Sequence, residues 1–129
     1  MQENFYSKNI EHREKLSNQE FCLSVLKKYE QKDIESFNEL FADDVIIRDW
    51  KIRVEGKALA LNEFRKNFDA VKNLNIDVLA MYEHNNTVAA ELKITLDAKE
   101  VLYIVDVITL TKDQKIASIR SYIGRGDKE

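Results

Sequence analysis

Phe41–Trp50 reads FADDVIIRDW, and the reading of this stretch decides the fold of the chain. A helix ends at its first residues, the acids Asp43 and Asp44 make a turn, and a short β-branched strand follows. Along that strand Val45, Ile47 and Asp49 alternate onto one side, so one carboxylate is delivered next to Trp50, the only tryptophan.

Upstream the pattern is helical. Ser17-Asn18-Gln19-Glu20 is a capping box: the serine oxygen can accept from the amide three residues on while the glutamate reaches back. The helix it opens carries Cys22, Val25, Leu26 and Tyr29 as one apolar stripe and ends near Gln31. Asp33 is placed to cap a second, shorter helix with Ile34, Phe37, Leu40 and Phe41 turned inward. Residues 1–16 are polar apart from Phe5, Tyr6, Ile10 and Leu16 and form an arm, helical or frayed, so that 17–129 make a single domain.

Downstream, Gly56 marks a break before a helix from Lys57 to about Val71, whose buried face is Leu61, Phe64, Phe68 and Val71. Strands are expected near 74–84, 87–96, 100–111 and 115–123, punctuated at Asn85-Asn86, Asp97-Ala98-Lys99 and Lys112-Asp113-Gln114. The order α-α-β-α-β-β-β-β predicts an α+β fold in which a curved antiparallel or mixed sheet wraps around the N-terminal helices.

Composition narrows the function classes. A chain of 129 residues can bury a core without a disulfide or metal staple. Its net charge is −3 with no basic block, which argues against nucleic acid or an acidic membrane surface as partner. No apolar run has the length of a membrane span, and the first residues lack the apolar core of a signal peptide. Cys22, the lone cysteine, reads as a small core hydrophobe in a reducing compartment, so a cytoplasmic setting is expected. Gly56, Gly124 and Gly126 are the only glycines and form no phosphate loop; His12 and His84 read as solvated, and neither a metal site nor a cofactor is implied.

Val101–Leu110 is apolar on both alternations, so this strand should be covered on both faces. The helices can cover one. A second copy of the chain meets the other in a homodimer, or else a loop or the N-terminal arm folds over it. Into this strand Asp106 intrudes, and a carboxylate there must be hydrogen-bonded, protonated with a raised pKa, or facing a wet cavity. If the last hairpin turns at Asp113-Gln114, Asp106 lies opposite Ser121, with Ile108 opposite Ile119 and Ile104 opposite Ile123. A two-residue turn at Asp97-Ala98 or Ala98-Lys99 would add Ala89, Glu91 and Lys93 to that face; a bulge would reverse the assignment. Lys93 or Arg120 could pair a purely structural Asp106, and Arg48, Lys51 or Arg53 a purely structural Asp49.

The run FADDVIIRDW, the glycine of EGKALALNEF and the pair of strands IVDVITLTKDQKIASIRSYIG resemble the nuclear transport factor 2-like superfamily, with its SnoaL-like and ketosteroid isomerase-like domains, over about residues 18–124. The resemblance implies a cone-shaped, cystatin-like roll. It places Asp49 where ketosteroid isomerases carry the general base that moves a proton α to a carbonyl, and Asp106 where they carry the protonated acid of the oxyanion hole. The family's oxyanion-hole tyrosine corresponds by spacing to Val25, a departure, while Tyr29 one turn later could bring a hydroxyl instead.

The pocket so implied is lined by Val25, Tyr29, Trp50, Phe64, Glu91, Lys93, Ile108, Ile119, Ser121 and Ile123 around the two acids. The expected ligand is a small apolar molecule of polyketide or steroid type. Two functions follow: a cofactor-independent isomerase, cyclase or hydratase with Asp49 as base and Asp106 as acid, or a non-catalytic module binding a ligand or protein.

Overall fold

The computed structural model describes residues 16–127. The expected N-terminal arm and His12 therefore lie, Leu16 excepted, outside the described residues. Three helices and six strands follow one another: α1 (Asn18–Glu30), α2 (Ile34–Leu40), β1 (Phe41–Arg48), β2 (Arg53–Glu55), α3 (Lys57–Ala70), β3 (Leu74–His84), β4 (Thr87–Leu96), β5 (Glu100–Leu110) and β6 (Ile116–Gly124). The strands form one open sheet in the order β2-β1-β6-β5-β4-β3, parallel only between β1 and β6.

Local chemistry sets the helix ends. Ser17 and Glu20 make both bonds of the capping box on α1, and the Asp33 carboxylate accepts from the Ser36 amide at the start of α2. Gly56 precedes α3 with φ +106°, a backbone conformation that a side chain would strain. The helices lie on the inner face of the sheet. Phe37, Phe41, Phe64 and Phe68 gather there with Tyr29, edge to face for the most part, and pack on Val45, Val88, Ile108 and Ile119.

Three features depart from the sequence expectation. Asp43 and Asp44 are exposed strand residues, not a turn: Phe41 pairs with Ile116 and Ile46 already with Ser118, so the acids occupy a bulge within β1. A short strand, β2, also pairs with β1, too brief and polar to show a period. The third alters a face. Leu96 pairs with Glu100, so the β4–β5 turn has three residues, and Asp97 and Ala98 both take positive φ. Odd length reverses the parity: Ala90 stands opposite Asp106 and Leu92 opposite Ile104, while Ala89, Glu91 and Lys93 take the outer face. The last hairpin keeps the expected pairs, Asp106 with Ser121, Ile108 with Ile119 and Ile104 with Ile123.

Candidate active site

Between the helices and the inner face of the sheet lies a cavity of about 460 Å³. Its floor is apolar, built by Val25, Phe37, Phe64, Ile47, Ile108 and Ile119. Above that floor one row of polar groups converges from four elements and one turn.

Asp106 comes from β5. It is half-buried, and the surface it keeps belongs to the cavity wall. The Ser121 hydroxyl on β6 donates to Asp106 Oδ1 at 2.5 Å. Burial pushes the carboxyl up to about 6; the serine bond opposes that rise and the charge of Asp49 adds to it. Lys93 and Arg120, both on the outer face, do not pair with it.

Asp49 follows β1 at the turn into β2. Its amide donates to the Ile52 carbonyl, and its Oδ1 accepts from the amides of Lys51 and Ile52 at 2.7 and 2.9 Å. These bonds fix the side chain and leave Oδ2 without a partner among the described residues. Among the neighbouring cations, Arg48 donates to the Tyr122 hydroxyl and Arg53 pairs with Glu55, while Lys51 borders the cavity.

Tyr29 reaches the same space from α1. Its oxygen accepts from Asn67 Nδ2 on α3 at 3.1 Å, so its own proton remains free to be donated. Burial pushes the phenol up to about 12; Asn67 works against that shift, and the charges of Asp106 and Asp49 reinforce it. The hydroxyl therefore stays protonated and both carboxylates act on it. A hydroxyl donor stands one helical turn from Val25.

Of the sequence-derived candidates, Asp49, Asp106, Val25, Tyr29, Trp50, Phe64, Ile108, Ile119, Ser121 and Ile123 all border this cavity. Trp50, 44% exposed, stands at its mouth. Glu91 and Lys93 do not border it, because the three-residue turn sends them outward. Asn67 escaped the sequence reading, although its place three residues after Phe64 puts it beside the buried stripe. Leu92 and Ile94 escaped for the same parity reason that excludes Glu91 and Lys93. No cluster of metal-ligating side chains occurs among the described residues.

An open α+β cone with an acid-bearing apolar cavity is the class that fold and site define. The chain belongs to the SnoaL-like domain family, whose model matches residues 25–119. No curated protein matches it. Among solved structures it is similar to an NTF2-like protein of unknown function from Cytophaga hutchinsonii ATCC 33406, at 14% identity and TM-score 0.72, covering 87% of this chain and 94% of the other. The epoxide hydrolase/cyclase-like enzyme SalBIII, which has a role in pyran ring formation in the polyether salinomycin, matches at 24% identity and TM-score 0.73, covering 83% and 90%. An LEH-like epoxide hydrolase from M. tuberculosis matches at 13% and TM-score 0.68, covering 81% and 80%. At these identities the likeness is one of fold.

Proposed function

We propose that the protein is a cofactor-independent acid–base enzyme, an isomerase, cyclase or hydratase, acting on a small and largely apolar molecule. One observation carries the reading: a partnerless carboxylate oxygen of Asp49, a carboxyl of raised pKa at Asp106 and a free phenolic proton at Tyr29 share one apolar cavity. Asp49 Oδ2 takes the proton of the reacting centre. Negative charge then develops on the substrate oxygen, where Tyr29 donates, joined below about pH 6 by the protonated carboxyl of Asp106, with Tyr29 standing in for the donor that Val25 does not provide. The SnoaL-like membership and the cyclase-like and hydrolase relatives support this class of chemistry and leave its substrate open.

The elementary step is tested by incubating 2-undecanone with the protein in D₂O and following deuterium entry α to the carbonyl by mass spectrometry. Accelerated exchange that disappears in Asp49→Asn, with ketone affinity unchanged, is the expected outcome. Exchange that persists in Asp49→Asn, or a bound ketone that never exchanges, rejects the enzyme. A second reading has its own observation: the two amide bonds to Asp49 Oδ1 give this acid a structural task in its turn, as a non-catalytic ligand-binding module would have.

The unit that does this work is residues 17–129, in a homodimer formed through the outer face of the sheet. Val105 and Val107 are half-buried there without belonging to the core beneath the helices, and Arg120 Nε is buried with no hydrogen-bond partner. Charge on this face is uneven. Arg53, Arg48 and Arg120 stand side by side across β2, β1 and β6, with Glu55 paired to Arg53, whereas Glu91 and Asp77, with Lys93 opposite Asp77, lie beyond β5 on β4 and β3. A two-fold axis along β5 lays the arginine-rich side of one copy over the side of the other that holds Glu91 and Asp77. A cytoplasmic setting is supported by Cys22, whose buried thiol is pushed up to about 12 by burial and by the charge of Glu83.

A further inference from the structure

The cavity is polar at one level only. Above the row that holds Asp106, the inner face continues with Ile104 and Leu92, then Leu102 and Ile94, and reaches Glu100 at the rim. Side chains grade from buried at Ile104 and Leu92, through half-buried at Leu102 and Ile94, to exposed at Glu100. Asp106 and Glu100 are six positions apart along β5, roughly 20 Å at the rise of an extended strand. Ile76 closes the side of this channel from β3. No polar side chain interrupts it between the acid row and the rim.

The charge around the cavity is mostly negative. Asp49, Asp106 and Glu100 border it, and Lys51 near the mouth is the sole cation among the lining residues. Arg48 and Arg120 point to the opposite face. Lys51 alone stands against these three carboxylates, so the lining as a whole disfavours an anionic head group, whereas Tyr29 offers a proton to a neutral oxygen.

We propose that the natural ligand is an extended, neutral aliphatic molecule with a single oxygen function at its inner end, bound head-first with its chain running along β5 toward Glu100. The assignment of the head rests on the acid–base reading given above; that of the chain rests on the channel alone. A compact polycyclic ligand would leave the outer rows uncovered. An extended chain buries them methylene by methylene.

The test is a homologous series of 2-alkanones from seven to seventeen carbons, with dissociation constants measured by calorimetry on the full-length protein. Each methylene that enters the channel should tighten binding about fourfold, the equivalent of ~0.8 kcal/mol, until the chain passes Glu100 and the gain stops. Ile94→Trp should fill the channel midway and make the plateau arrive several carbons earlier, with the short ketones bound as before. Affinity that does not depend on chain length, or a plateau unmoved in Ile94→Trp, overturns the channel assignment. Undecanoate or undecylamine binding as tightly as 2-undecanone overturns the neutral head. Chain-length dependence without α-proton exchange rejects only the acid–base chemistry, so the two failures are distinguishable.

Discussion

The Asp106 carboxyl titrates near 6 because its surroundings are apolar and Asp49 is nearby, and the same cause acts on folding. Its ordinary value is 3.8, so between about 4 and 6 the folded chain holds a proton there that the unfolded chain has released. Stability from this group is complete below about 4 and is lost as the pH rises through 6, the loss approaching about 3 kcal/mol. Asp106→Asn removes the penalty while keeping an acceptor for Ser121. Denaturant unfolding should show this variant more stable than the parent at pH 8 and equal to it at pH 4. Tyr29→Phe keeps the ring that packs on Phe64 and Phe68 and loses the hydroxyl, both the proton donor to the cavity and the acceptor of Asn67. On the acid–base reading its α-exchange rate falls about 10²-fold, with ketone affinity little changed.

At the scale of elements, the turn between β4 and β5 decides which side chains the cavity receives. Asp97 Oδ1 accepts from the amides of Lys72 and Asn73, its own amide donates to the Asn73 carbonyl, and the turn is thereby tied to the α3–β3 connection. Ala98 at φ 56° has no such compensation. Ala98→Gly should stabilise the protein by up to about 1 kcal/mol, seen as a higher thermal midpoint with an unchanged denaturant slope. The same turn marks how far pattern reading reaches. The Asp106–Ser121 register matches the expectation although the turn does not: Leu110 pairs with Ile116, and a register slip next to Thr109 restores the pairs that a two-residue turn at Asp113-Gln114 would give. The Glu91 and Lys93 faces were not legible, since one residue of loop length inverts a strand and Asp97-Ala98-Lys99 does not announce whether two or three residues turn. The β1 bulge was hidden for a related reason: paired acids read as a turn unless the partner strand is known. Asn67 and Tyr29 lie on different helices, and their bond depends on how those helices cross.

For the molecule as a whole, the proposed two-fold packing of outer faces yields a direct expectation. Val107→Arg should give monomers in sedimentation velocity while the far-ultraviolet spectrum stays that of the parent, because Val107 takes no part in the core beneath the helices. Charge supplies the complementary test. Arg120→Glu should weaken the dimer and Glu91→Arg added to it should restore it, an outcome that separates specific pairing from generic apolar contact.

The register slip between Val78 and Ala80 bears on how such molecules can meet at all. β3 is an edge strand, and the slip leaves Leu79 outside the ladder, 50% exposed, while the Glu30 carboxylate occupies the amide of Ile76 further along. The opposite edge, β2, is only three residues long. Neither border offers a neighbouring chain a long, flat, unoccupied run of backbone donors and acceptors, so edge-to-edge extension of the sheet into fibrils is obstructed at both ends.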